Sequence, residues 1–427
     1  MKIYELKNHI NSGLFDEKFV SLYDASMIAF QRERYLLALD NFASLYGEDR
    51  DVNLYSVAGR SELAGNHTDH NRGKVIAASI NLDIIAVASK NGTDTINLKS
   101  DGFRQINLDY NRYNAPNERH FGTSASIISG VCHGFLSGGH KIGGFDAYLT
   151  SNVLRGSGLS SSAAFEDMIG NILNHEFNGG AISNVEIAQI AQYSENVFFG
   201  KPCGLMDQVA CAYGGIVSID FEDTKNPKIE SLDFDLTKAG YNLCIVDTGG
   251  NHADLTDDYA SVPNEMKAVA SLFEKDVLRE CDREEVVAKS SEIREKCGDR
   301  AFMRAIHFFN ENERVEEMKK SLQNGDLNSY FDGVLSSGKS SFCYLQNVYT
   351  TKNVTEQGLS LALCLTEGFM KGNDGAFRVH GGGFAGTIQA YVKEDDVASY
   401  SALMDSVFGS GACLVLRVRK DGAIKVN

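Results

Sequence analysis

One stretch restricts the possible folds of this 427-residue chain more than any other: Arg155-Gly156-Ser157-Gly158-Leu159-Ser160-Ser161-Ser162-Ala163-Ala164. The segment before it, GGFDAYLTSNVL, reads as a strand, and the segment after it, SSAAFEDMIGNILNHEF, as an amphipathic helix. A glycine-serine loop emptying into a helix leaves that helix's first N–H groups without partners, at the positive end of its dipole. Glycine lets the backbone approach a ligand closely, so this geometry can hold phosphate without any lysine. Gly156, Ser157, Gly158, Leu159, Ser160, Ser161 and Ser162 are therefore candidate phosphate-binding residues. The serine hydroxyls could add donors or a magnesium ligand. The alternative is a plain loop ending in an N-cap serine.

Two further segments carry chemistry. Gly59-Arg60-Ser61-Glu62-Leu63-Ala64-Gly65-Asn66-His67-Thr68-Asp69-His70-Asn71 packs donors and acceptors at a strand end, which suits a polyhydroxylated ligand. Its bland alternative is a solvated turn. His67 and His70, three residues apart, suggest a metal only weakly, since no third ligand is evident. Gly204-Leu205-Met206-Asp207-Gln208 sets a carboxylate in a largely apolar run, which is costly unless the charge is paired. Arg60 is the expected partner of Asp207. Glu195, upstream on a helix that opens near Asn184, could reach a metal held at the phosphate loop.

Two other glycine patterns mislead. Gly333 to Ser340 matches the P-loop letter for letter, but the residues before it, EEMKKSLQNGDLNSYFDG, read as charged helix and turn where that motif needs a buried strand. Gly381, Gly383 and Gly386 satisfy GxGxxG, yet the strand-like TIQAYV follows where a dinucleotide site needs a helix. A tight strand-to-strand turn is expected there.

The rest of the chain reads as α+β. The opening fifty residues are helical in pattern. NLYSVAGR, VIAASI and IIAVAS read as separate strands, and INLKSDGFRQINLD as a hairpin turning at Asp101-Gly102. Ser183 to Glu186 is a capping-box signature. Strands with charged connections occupy about 216–240, and helices run from Ser261 to about Leu365. AFRVH, GTIQAYV and LVLRVR close the chain as strands. A lobe boundary is expected near residue 222.

With 41 Lys+Arg against 57 Asp+Glu, the net charge of −16 argues against nucleic-acid and anionic-lipid partners. No signal-peptide core and no apolar run of about 18 residues occurs. The nine cysteines are scattered without a CxxC pair, so reduced thiols and a cytoplasmic location are expected.

At the three chemistry-bearing segments, and again at Gly381 to Gly386, the chain resembles the GHMP small-molecule kinases, and within them the galactokinases. The Gly59 segment is similar to the signature GR-x-N-L-I-G-E-H-T-D-Y-N-x-G, the serine loop to G-x-GLSSSA, Gly200–Gln208 to GxPCGxMDQ, and Gly381–Gly386 to the family's glycine-rich third motif. The resemblance spans roughly residues 40 to 427. It implies a two-lobed fold, residues 1–222 being an N-terminal lobe like domain 2 of ribosomal protein S5 and 223–427 a ferredoxin-like C-terminal lobe. It also implies ATP-dependent phosphorylation of a hexose at its anomeric hydroxyl, galactose first. By position, Asp207 matches the catalytic aspartate and Arg60 the arginine that stabilises the transferring group. Ser162 and Glu195 match the Mg2+ ligands. Asn66, His67, Asp69, Gly204 and Tyr259 match the sugar-binding residues. The chain departs from the pattern at Asn66 (glutamate in the signature), His70 (tyrosine) and Glu62-Leu63-Ala64 (N-L-I). Ala58 and Leu154 replace prolines, and Asn251 and Val262 replace the expected residues around Tyr259. Another monosaccharide or amino sugar as substrate, or a non-catalytic sugar sensor, are the alternatives.

Overall fold

A computed structural model describes residues 1–112, 115–153, 158–250 and 255–427. Three N-terminal helices, α1 (Ile3–Asn11), α2 (Asp16–Leu22) and α3 (Ile28–Tyr46), lead into an eight-stranded sheet. Its strands are β1 (Asn53–Ala64), β2 (Lys74–Lys90), β3 (Thr95–Ser100), β4 (Ile106–Asp109), β5 (Phe145–Ser151), β6 (Ile216–Asp220), β7 (Lys228–Leu232) and β12 (Ala423–Lys425). The order is β12-β1-β2-β5-β3-β4, with β6 added to β2 and β7 to β6. Among the described residues, only β3 and β5 pair in parallel.

VIAASI and IIAVAS belong to one 17-residue strand, β2, not two. Its length is used by three partners: β6 takes the first part, β5 the second, and β1 runs along both. Apolar residues line it almost without interruption because both faces are covered. Ile85 and Val87 pack with Leu39 and Phe42 of α3, whereas Ala86 and Ala88 face the main core. The N-terminal helices are thus a cover for the outer face of the sheet. A buried polar knot pins them: Arg34 of α3 reaches Asp83 at 2.6 Å, and Asp83 also meets Arg419 at 3.0 Å and the Tyr23 hydroxyl at 2.6 Å.

The opposite face of the sheet carries α4 (Ser124–Ser137), α5 (Ser161–Phe177), α6 (Asn184–Tyr193) and α7 (Met206–Tyr213). Ser183 caps α6 by accepting from the Glu186 N–H. A second sheet, all antiparallel, has the order β11-β8-β10-β9, with β8 (Tyr241–Asp247), β9 (Gly375–His380), β10 (Thr387–Lys393) and β11 (Cys413–Leu416). Both β6 and β7 belong to the first sheet, so the chain changes sheet between Leu232 and Tyr241, beyond the boundary expected near residue 222. The intervening helices are α8 (Thr256–Ser271), α9 (Arg283–Ala288), α10 (Ser290–Cys297), α11 (Asp299–Asn324), α12 (Leu327–Ser340) and α13 (Gly358–Met370), with α14 (Val397–Phe408) near the end.

Both misleading glycine patterns have structural explanations. Gly333 to Ser340 lies within α12. A Cβ on Gly333 would stand 2.4 Å from the Met318 side chain, and one on Gly338 2.9 Å from Arg378. These glycines let α12 lie close to α11 and β9. Gly381 to Gly386 connects β9 to β10, as expected for a strand-to-strand turn.

Among the described residues, no helix is long and apolar enough to cross a membrane.

Candidate active site

Asp207 stands in the first turn of α7. β1 delivers Arg60 to it: Nε lies 2.8 Å and Nη2 2.7 Å from Oδ1, while Nη1 donates to the Gly158 carbonyl at 2.5 Å. Oδ2 accepts the Ser160 hydroxyl at 2.6 Å. Burial pushes this carboxyl up, but the Arg60 charge and the Ser160 bond outweigh it and hold Asp207 below the ordinary carboxylate range. The pairing of Asp207 with Arg60 expected from sequence is present.

Ser160 differs from the expectation that its hydroxyl is available to phosphate. It is left-handed (φ 59°) at the start of α5, and its side chain turns to Asp207 instead of capping the helix. A non-glycine residue held there stores strain, and the consequence is that among the described residues no side chain caps the first N–H groups of α5. Those amides remain available to an anion. Gly158 (φ 70°) precedes them, beside His380 and Thr387, and buried Leu159 anchors the loop. Gly156 and Ser157, with Arg155, lie outside the described residues, as do Asn251 and His252.

The turn after β1 is braced from the second lobe. The buried Asn66 amide donates to the Gly381 carbonyl at 2.7 Å and to Glu62 Oε1 at 3.2 Å. Its Oδ1 accepts from Ser341 at 3.1 Å and from Asn347 at 2.9 Å. These four bonds use an amide's full capacity within the chain, where the resemblance implies a sugar contact. His67, left-handed at φ 59°, is similarly engaged. Its Nε2 must donate to the Gly382 carbonyl (2.9 Å), so its Nδ1 accepts from His70 Nε2 (3.3 Å), and His70 Nδ1 accepts from Asn71 (2.9 Å). Burial holds both imidazoles below their usual value, so this relay is neutral. The two histidines bond each other and do not flank a metal. Tyr259 of α8 donates to the Gly383 carbonyl at 2.8 Å.

Sequence reasoning missed the partner that fixes this arrangement. Glu62 forms a buried ion pair with Arg378 of β9 at 2.8 Å. In the galactokinase signature the amide precedes the carboxylate by four residues; here Glu62 and Asn66 hold the two groups in exchanged positions. Both departures are visible in the sequence, but their coupling appears only once Asn66 is seen bonded to Glu62.

Asp69 and Gly204 are brought together beside Asp207. A Cβ at Gly204 would stand 1.8 Å from Asp69 Oδ2, so only glycine lets the carboxylate lie there. Burial, then the charges of Asp207 and Glu62, push Asp69 up to about 7. A carboxyl raised from about 3.9 in the unfolded chain costs stability as pH rises, until it is fully ionised in the fold. In sugar-free thermal melts, Asp69→Asn should exceed wild type most at pH 8.5, and the gap should shrink steadily toward pH 4. A gap independent of pH would show that Asp69 is not strained by its charge.

Glu195 sits in a π-helical turn, Ser194–Phe199, that extends α6; such irregularities often mark functional sites. Its buried carboxylate meets Lys201 Nζ at 3.0 Å and the Gln208 amide at 3.0 Å. Ser162 is exposed at the open end of α5. Among the described residues, no group of three or more His, Cys, Asp and Glu could cage a metal alone. Hard oxygens in small number suit Mg2+ shared with substrate phosphates, where one or two carboxylates suffice.

Comparison with known proteins fits this geometry. Residues 126–215 match the GHMP kinases N terminal domain, and residues 40–90 match the galactokinase galactose-binding signature. A galactokinase of Streptococcus mutans is 30% identical over 369 residues, 84% of this chain and 89% of the relative. The chain belongs to the galactokinase family of the GHMP kinases. A Streptomyces coelicolor galactokinase is 28% identical across 89% of the chain and 94% of its own length. Among solved structures, Lactococcus lactis galactokinase complexed with galactose superposes with a TM-score of 0.77 at 22% identity, covering 92% of this chain and 99% of that one. A mevalonate kinase shares the fold more distantly, with a TM-score of 0.60 at 14% identity over 86% of this chain and 99% of its own.

Proposed function

We propose that this chain transfers the γ-phosphoryl group of ATP to the anomeric hydroxyl of galactose. The observation that carries the reading is the Asp207 carboxylate, held ionised by Arg60 and Ser160 between the open N-terminus of α5 and Asp69. The sugar oxygen attacks the γ-phosphorus, the bond to the β-phosphate oxygen breaks, and ADP leaves. Asp207 accepts or orients the hydroxyl proton. Arg60, always charged, bridges that carboxylate and the transferring group. The amides of α5 hold the phosphates, so catalysis rests mainly on positioning and charge. Ser162 and Glu195 would hold Mg2+, which when bound would offset the triphosphate's negative charge. Asp69 would accept hydrogen bonds from sugar hydroxyls, with Gly204 leaving it the room. Asn66 and His67 support the turn that carries Asp69, and Tyr259 steadies the glycine-rich turn against it. We place the N-terminal lobe at 1–232 together with the closing strand β12.

A different hexose is the second reading, favoured by the exchange at Glu62 and Asn66. A site that lacks one hydroxyl's partner changes selectivity strongly. ADP release measured against a panel of hexoses and hexosamines tests both. Galactose should give the highest kcat/KM, and a higher value for another sugar would replace it. No release above the sugar-free blank with any member would overturn the enzyme reading in favour of a sensor.

A further inference from the structure

Behind Ser162 and Glu195 lies a second carboxylate that the mechanism above does not use. Glu166 is wholly buried in α5, one turn beyond Ser162 and on the same face of the helix. The Gln208 side-chain amide donates to Glu166 Oε2 and to Glu195 Oε2, 3.0 Å in each case. Two carboxylates are therefore drawn together across a single NH2 group. The cations nearby are already engaged: Arg60 by Asp207 and Lys201 by Glu195. Glu166 Oε1 has no hydrogen-bond partner among the described residues, and neither has the buried Gln208 Oε1. A buried carboxylate oxygen and a buried amide oxygen without donors, beside a partnered carboxylate, are costly as packing and fit a hard divalent cation.

We infer that Glu166 is a further carboxylate of the Mg2+ site, joined to Glu195 through Gln208 and to Ser162 through the helix turn. The inference rests on the kinase reading for the position of that site.

The test is Mn2+ binding, followed by the electron paramagnetic resonance signal of free Mn2+, with a non-hydrolysable ATP analogue present. Glu166→Gln keeps the shape and replaces one carboxyl oxygen by an NH2 group that cannot bind a cation; its Mn2+ affinity should fall at least about 10-fold, as for groups that orient or support metal ligands. The Mg2+ concentration for half-maximal turnover should rise in parallel. Glu166→Asp, which keeps the charge, should recover part of the loss. The metal-free melting temperature of Glu166→Gln should not fall, because the orphaned oxygen loses nothing. Should Glu166→Gln bind Mn2+ like wild type, with only its metal-free stability altered, Glu166 is a packing residue and the inference fails. Glu195→Gln separates the two levels. If it loses Mn2+ while Glu166→Gln does not, only this inference falls. If neither variant loses Mn2+, the location of the metal site in the kinase reading falls as well.

Discussion

Asp207→Asn should turn over about 10³-fold more slowly than wild type, within the range usual for removing a positioned acid–base group. Galactose and nucleotide should still bind within a few-fold, as calorimetry would measure. The amide can accept from Arg60 through its remaining oxygen and donate to Ser160, so the local geometry survives. What is lost is the proton acceptor and the charge beside Arg60. Wild-type turnover in this variant would remove Asp207 from the chemistry. A second consequence concerns stability. Because the Asp207 carboxyl lies below its ordinary value, its stabilising contribution is present above about pH 4 and lost as pH falls through its folded pKa. The melting temperatures of wild type and Asp207→Asn should therefore converge in acid.

Arg60 should be the more damaging position. Arg60 is 5% exposed, and its guanidinium serves Asp207 and the Gly158 carbonyl together. Arg60→Ala would leave a carboxylate without its counter-ion and remove the side-chain tie to the Gly158 carbonyl, leaving the loop held to β1 by the Arg60 N–H bond to the Leu159 carbonyl. Breaking a fully buried pair costs about 3–5 kcal/mol; with a third of the Asp207 side chain in solvent, about 2 kcal/mol is expected. Turnover should fall by at least about 10³-fold, the scale seen when an arginine that stabilises a transferring phosphoryl group is removed. Arg60→Lys is the sharper experiment. It keeps the charge, and so much of the stability, but a lysine cannot reproduce the fork that spans Asp207 and Gly158. Denaturation should then find Arg60→Lys near wild type while turnover stays depressed. If turnover also returned to within a few-fold of wild type, Arg60 would be acting as a point charge alone.

Much of the site was legible because its chemistry is local in the chain. A glycine-serine loop before a helix makes an anion site wherever it is placed, and an aspartate inside an apolar run requires a partner. The P-loop and dinucleotide patterns could be dismissed for the same kind of reason, since the flanking segments had the wrong period. Strand continuity was harder to read. β2 passes through Asn81 and Asp83 without stopping, because Arg34 and Arg419 satisfy Asp83 from elements roughly 50 residues before it and over 300 after it. No local pattern announces that.

Asn66 shows the same division within the site itself. Its position in a sugar-binding signature made it a substrate contact by analogy, yet four bonds to Glu62, Gly381, Ser341 and Asn347 use its full capacity within the chain. Glu166 is the converse. In the sequence it is one acidic residue on an amphipathic helix, and only the approach of α7 brings Gln208 against it and bridges it to Glu195. The sequence by itself determined the family and pointed to the loop-to-helix segment and the carboxylate of the proposed mechanism, because each depends on residues close together in the chain. Which polar groups remain free for substrate was decided by the tertiary structure alone. A hydrogen-bonding group can be spent only once, and the partners that spend it here come from distant segments.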